Sequence, residues 1–246
     1  MLSSIYFKSM REILDKIERT QGEAIDKAAE IIINSITNNG MLHLMDTGHM
    51  LMYEAVGRTG GLMSMRPVRL SVQVENPTRK RVNLNRPTAY LDGIEGFPEF
   101  ILNKSNMEPG DVLIIGSVSG KNILPVELAL RAKERGINTI GITSVEYSSK
   151  LNGEHQSGKR LYEVCDIVLD NCGNIGDTLV HVNEINKDIC PSSGIAAAYL
   201  IWALQAEIVE KLIKLGKDPS IYISNHMPDA LRLNKVAWEQ YERNGY

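Results

Sequence analysis

The segment Asp111-Val112-Leu113-Ile114-Ile115-Gly116-Ser117-Val118-Ser119-Gly120-Lys121-Asn122 constrains this chain more than any other. Its run of four apolar residues reads as a strand buried on both faces, the habit of parallel sheets. A small, hydroxyl-rich turn follows, and then a helix from Ile123 to Arg135, closed by Gly136. Another apolar run at Thr139–Ile142 completes a strand–helix–strand unit. Repeated units of this kind build a parallel sheet covered by helices on both sides. Further strands are expected at Met41–Met45, Val68–Val74 and Ile167–Leu169. The fold class is therefore α/β.

Two helices precede the sheet. Residues 3–19 place Ile5, Met10, Ile13 and Ile17 on one face, and residues 22–38 do the same with Ile25, Ala29, Ile32 and Ile36 before Gly40. This helical extension over 1–40 carries five basic and six acidic side chains, too balanced for a phosphate-facing helix-turn-helix. Beyond the strands, an apolar helix over Ile195–Leu215 ends at Gly216, a short strand is expected at Ile221–Ile223, and a last helix runs through Trp238. The polar, proline-punctuated stretch 75–97 is too long for an ordinary connection. Strands continue on both sides of it with no second core, so residues 1–246 read as one domain with an excursion.

Composition excludes several classes of partner. A net charge of −3 from 27 basic and 30 acidic residues argues against general binding of nucleic acid. The basic charge is concentrated: Arg66, Arg69, Arg79, Lys80, Arg81 and Arg86 stand against Glu75 alone, a local +5 that leaves −8 elsewhere. Such a stretch is either a solvated loop or an attractor for a small anion. The longest apolar run, Ile195–Leu204, is about half the roughly 20 residues of a membrane span. No signal-peptide core follows Met1, and Cys165, Cys172 and Cys190 form no metal pattern. A cytoplasmic protein with reduced thiols, no membrane partner and no nucleic-acid partner is expected.

Free backbone N–H groups at a helix start, with the helix dipole, make an anion site. Three junctions in this chain have that form. In the first, Ser117, Ser119 and Asn122 add donors, and Gly120 permits close backbone approach. It is not a Walker A loop, since three residues rather than four separate Gly116 from Gly120. No G-x-G-x-x-G occurs either, so no nucleotide cofactor is expected. The plain alternative is a βα turn whose serines cap a helix. The second junction, Asp46-Thr47-Gly48-His49-Met50, precedes a helix with Glu54 and Arg58; the third is Pro191-Ser192-Ser193-Gly194. Loops at carboxyl ends of parallel strands share one crevice, the usual ligand position in such sheets.

In order and spacing these motifs resemble the sugar isomerase (SIS) domain family, closest to a bacterial branch related to phosphoheptose isomerases. The resemblance rests on Asp46-Thr47-Gly48-His49, Glu54, Arg58-Thr59-Gly60-Gly61-Leu62, Ser117 to Asn122, Pro125-Val126-Glu127 and His155-Gln156-Ser157-Gly158-Lys159. Asp170-Asn171 and Gly176-Asp177 extend it over nearly the whole chain. It implies a flavodoxin-like or Rossmann-like three-layer αβα sandwich with a five-stranded parallel sheet, binding a phosphorylated sugar as a homodimer or homotetramer. Ser117, Ser119, Gly120 and Asn122 would then hold phosphate, Thr47, Gly48 and His49 would line the sugar, and Ser192 and Ser193 stand at a Thr/Ser cluster of the family. Met50 replaces a common serine and Asp46 a usual glycine, which alters the sugar side of the first loop.

Aldose–ketose isomerisation needs a base to move a proton between adjacent carbons and a group to open the ring. Glu54, at the helix beside the first loop, is one candidate base; its alternative is an ordinary surface glutamate. Glu127, one and a half turns into the helix after the phosphate loop, is the other, unless it merely supports a loop backbone. His155 lies in a loop where core packing explains it poorly, and the resemblance allows it to act in a neighbouring subunit. Lys159 could pair with phosphate or with Glu163. His49 and Glu54 are off helical ligand spacing, so no metal is expected. The expected function is a phosphosugar isomerase; elimination at a sugar ether, as in N-acetylmuramate 6-phosphate etherases, and non-catalytic sensing are the alternatives.

Overall fold

The computed structural model describes residues 1–47, 50–73, 75 and 91–246. The chain runs through α1 (Leu2–Thr20), α2 (Gly22–Ile36), β1 (Leu42–Asp46), α3 (Met52–Ala55), β2 (Arg66–Pro67), α4 (Phe97–Lys104), β3 (Val112–Gly116) and α5 (Ile123–Glu134). It continues as β4 (Asn138–Thr143), α6 (Val145–Ser149), β5 (Ile167–Asp170), β6 (Val180–Val182), β7 (Lys187–Ile189), α7 (Ser193–Lys214) and α8 (Ala230–Asn244). Five strands form one parallel sheet in the order β2-β1-β3-β4-β5.

Alternation along the strands sets the three layers. From β3, Val112 and Ile114 point into a cluster shared with Ile17, Ile32, Leu200 and Leu204 of α1, α2 and α7. Leu113 and Ile115 point the other way, onto Ile101 and Leu102 of α4 and Leu128 of α5. All four β3 side chains are fully buried, each contributing about 1.5–3 kcal/mol. This is the sandwich that the continuous apolar runs require. The two leading helices are present, and neither α1 nor any other described helix is long and apolar enough to cross a membrane.

Two expected strands need correction. The ladder at Val68–Val74 is instead β2 at Arg66–Pro67, extended only by the Val68 N–H donating to the Leu44 carbonyl at 2.8 Å. Pro67 has no N–H to give, Leu70 and Val72 are exposed, and among the described residues no backbone bond ties 69–73 to the sheet. Val74 lies outside the described residues. The strand at Ile221–Ile223 reduces to one antiparallel bridge between Leu62 and Ile221. The bond from the Met63 N–H to the Ser220 carbonyl fastens that turn (2.9 Å). The β6–β7 hairpin and α4 have no counterpart in the sequence reading. Of the excursion 75–97, residues 91–93 form a single helical turn, and residues 76–90 lie outside the described residues.

Candidate functional site

Register brings the carboxyl ends of the strands level, with Asp46, Gly116 and Ile142 side by side and Thr143 beside Asp170. The loops that follow form a crest along one edge of the sheet. The loop after β3 is pinned to β4: the Ser117 N–H donates to the Ile142 carbonyl at 3.0 Å, and Val118's carbonyl accepts from the Ser144 N–H and the Thr143 hydroxyl, each at 3.0 Å. Among the described residues, the N–H groups of Val118, Ser119, Gly120 and Lys121 meet no backbone acceptor. They precede the first turn of α5, whose Asn122 cap residue makes no side-chain cap bond. Ser119 and Asn122 are half-buried and Ser117 is buried.

Gly120 has φ +57°, and a Cβ there would lie 3.0 Å from Thr143 Oγ1 and 3.1 Å from Leu161 Cβ. Only glycine fits. Lys121 forms an ion pair with Glu154, so its charge is already answered, and the Glu154 N–H donates to the Lys121 carbonyl at 2.8 Å. That bond ties the loop 152–159 to the loop 117–122.

The first loop rests on the same strand. Thr47 donates to the Gly116 carbonyl from its N–H at 3.2 Å and its hydroxyl at 3.4 Å. Asp46 Oδ2 accepts the Leu51 N–H at 2.5 Å, which turns the chain into α3. Met50 and Leu51 are buried over β3: a Cβ on Gly116 would meet Leu51 Cδ1 at 2.7 Å and Met50 Cε at 3.3 Å. The Asn171 amide approaches Met50 Sδ at 3.9 Å, so Met50 spans the crest from β3 to β5. Gly48 and His49 lie outside the described residues.

The candidate acids and bases occupy different settings. Glu54 borders a depression of about 490 Å³ with Met50, Tyr53, Gly194, Tyr199 and Trp202. Its exposed ion pair with Arg58, 3.6 Å, adds little stability. Glu127 is buried and engaged. It accepts the Gly96 N–H at 3.1 Å, ahead of α4, and pairs with Arg131 at 3.7 Å. His155 is buried, its Nδ1 lying 2.8 Å from Ser157 Oγ. Lys159 is exposed in the same loop. Among the described residues no hydrogen bond or ion pair joins Glu54, Glu127 and His155.

Ser192 and Ser193 are fully buried at the start of α7, and both turn to Asp177. Their N–H groups donate to Asp177 Oδ1 at 3.1 and 2.9 Å; the hydroxyls donate to the same carboxylate at 3.1 and 2.6 Å. The carboxylate thus fills the anion position of this helix. Among the described residues no three His, Cys, Asp or Glu side chains gather as a metal site requires. A cavity of about 750 Å³ lies away from the crest. It lies beyond edge strand β2, between α4 and the end of α8, with His43, Arg66 and Tyr241 in its wall.

Residues 5–144 match the sequence profile of the SIS domain. This chain belongs to the SIS domain family. It is 30% identical over 242 residues to a UPF0309 protein of Shouchella clausii (strain KSM-K16), covering 96% of this chain and 95% of that protein. A UPF0309 protein of Halalkalibacterium halodurans is 30% identical over 241 residues, covering 97% and 94%. Among solved structures, phosphoheptose isomerase GmhA from Neisseria gonorrhoeae shares the fold, with a TM-score of 0.51 and 18% identity over 85% of this chain and 97% of that one.

The SIS crest here thus joins Thr47, Ser117, Ser119, Gly120 and Asn122 on adjacent strand ends, with the loop of His155 tied alongside. Sequence reading gives no role to Asp177 or Ser157. Asp177 lies fifteen residues before Ser192, and no periodic pattern links an irregular loop to a distant helix start.

Proposed function

We propose that this chain binds a phosphorylated sugar at the crest and interconverts its aldose and ketose forms. The observation that carries the reading is the row of N–H groups from Val118 to Lys121, just before α5, that meet no backbone acceptor among the described residues. Such a row suits a phosphate dianion. Ser117, Ser119, Gly120 and Asn122 hold the phosphate, and Thr47, Gly48 and His49 line the sugar. Lys159 adds charge at the rim. Glu54, in the open depression beside the first loop, takes the proton from one carbon and returns it to the next; His155 assists ring opening. Glu127 and the pair Ser192 and Ser193 support the architecture, because their polar atoms are already engaged. The exposed apolar side chains Leu2, Ile5 and Phe7 on the first turns of α1 favour a homodimer or homotetramer. Family membership supports the substrate class.

A second reading, binding without turnover as in a sensor, is favoured by the engagement of Glu127, which leaves one solvent-accessible carboxylate candidate instead of two. A thermal-shift panel of sugar phosphates, followed by product analysis, separates the readings. A ligand at ten times its Kd should stabilise by about 1.4 kcal/mol. Glu54→Gln should then cut kcat at least about a hundredfold while Kd stays within a few-fold. Stabilisation without product would support the sensor. No shift with any sugar phosphate would end both readings.

A further inference from the structure

The loop 152–159 is built more rigidly than a surface connection needs. The Gly158 N–H donates to the His155 carbonyl at 2.8 Å, and a Cβ on Gly153 would stand 2.4 Å from the Lys159 carbonyl oxygen. Arg160 closes the loop, donating to the carbonyls of Ser149 and Leu151 at 3.2 Å each and gripping Glu163 at 2.7 and 2.8 Å. The guanidinium holds the Glu163 carboxyl below its ordinary range.

Inside this frame the imidazole of His155 is held through its Nδ1, which faces both the backbone N–H and the hydroxyl of Ser157. The Ser157 backbone N–H donates to His155 Nδ1 at 3.2 Å, so Nδ1 offers a lone pair and carries no proton. Ser157 Oγ, 2.8 Å from the same nitrogen, is then the donor in that contact. A lone pair of that hydroxyl accepts the Lys159 N–H at 3.3 Å. In this arrangement the Ser157 hydroxyl donates to Nδ1 and accepts from Lys159. The neutral ring keeps its proton on Nε2, which has no partner among the described residues. His155 itself follows Glu154, the residue bonded to the phosphate loop through Lys121.

We propose that Ser157 is a positioning residue that holds His155 as its Nε2–H tautomer, making His155 a hydrogen-bond donor to the sugar and not its base. This rests on the reading of the crest as a phosphosugar site. In the isomerisation a carboxylate takes the carbon-bound proton and returns it to the adjacent carbon. The Nε2–H meanwhile donates to the carbonyl oxygen where negative charge develops; the proton stays on the ring, and the hydroxyl proton of the adjacent carbon passes to that oxygen within the enediolate, leaving the new carbonyl behind.

Imidazole nitrogen NMR of isotopically labelled protein in alkaline buffer tests the tautomer without any ligand. The wild-type ring of His155 should show the Nε2–H signature. Ser157→Ala removes the hydroxyl donor at 2.8 Å and leaves only the longer backbone N–H at 3.2 Å, so the share of the Nε2–H tautomer should fall and kcat drop about tenfold with KM within about twofold, while Ser157→Thr restores both. An Nδ1–H signature in the wild type would overturn the proposal without reference to any variant. So would a Ser157→Ala protein whose tautomer and kcat match the wild type. If the tautomers behave as expected but no sugar phosphate is turned over, the positioning role stands and the isomerase reading falls.

Discussion

Gly120 shows how much one position can decide. Its backbone is left-handed, and its missing side chain is the space into which Thr143, Leu161 and the buried hydroxyl of Ser148 converge. Its carbonyl also accepts the Leu161 N–H at 2.7 Å, so the loop is bonded to the floor below it. Gly120→Ala carries a left-handed penalty of about 1–2 kcal/mol before any crowding. The expected outcome is a loss of about 2–3 kcal/mol in chemical denaturation, with weakened sugar-phosphate binding by calorimetry as the donors on either side shift. Full stability and unchanged affinity would show that the loop does not need its glycine. This residue was legible in the sequence because its signal is local: a strand, a small turn and a helix start within a dozen positions. Glu127 was only half legible. Its place on α5 followed from the pattern, but its carboxylate answers the N–H of Gly96, at the end of a segment no periodicity described.

Among the elements, α7 illustrates what pattern alone leaves out. Its apolar face was evident from composition, but its first turn, Ser193-Gly194-Ile195-Ala196, contains no acidic residue to meet the helix dipole. Asp177, held at φ +54° in a distant loop, supplies that charge and satisfies two N–H groups and two hydroxyls at once. Removing it leaves four buried donors without an acceptor. Asp177→Ala should therefore cost about 2–4 kcal/mol, with hydrogen exchange rising first at the start of α7. Asp177→Asn, which keeps one acceptor oxygen, should lose less. Equal stability of all three proteins would mean that the bonds contribute nothing net. The edge of the sheet was misread for a related reason. An apolar alternation at Val68–Val74 resembles a strand, but pairing also needs a partner and available donors, and neither is visible in a short window.

At the scale of the whole molecule, the layers depend on a few ties that cross them, and Asp166 is one. It stands before β5, receives Thr139 of β4 through its N–H at 2.8 Å and its hydroxyl at 2.9 Å, and pairs with Lys133 of α5 at 2.8 Å. Burial pushes its carboxyl upward, but the bonds from Lys133 and Thr139 outweigh that and hold it below the ordinary carboxylate range. A lowered folded value means that folding favours the ionised form, so the stabilisation is fully present above the unfolded carboxyl's range. It is lost as pH falls through the lower folded value. The Asp166 side chain is 32% exposed and that of Lys133 39%, so water screens the pair and Asp166→Asn should cost only about 1 kcal/mol at neutral pH. Urea denaturation of both proteins across a pH series reads this directly. Their difference in stability should be constant near neutrality, shrink as acid protonates Asp166, and vanish below its folded value. It should also diminish with added salt. A difference that persists or grows in acid would mean that the side chain acts through packing alone. Such a tie was not legible in the sequence: Lys133, Thr139 and Asp166 are ordinary polar residues until βαβ winding brings a helix end and two strand ends together.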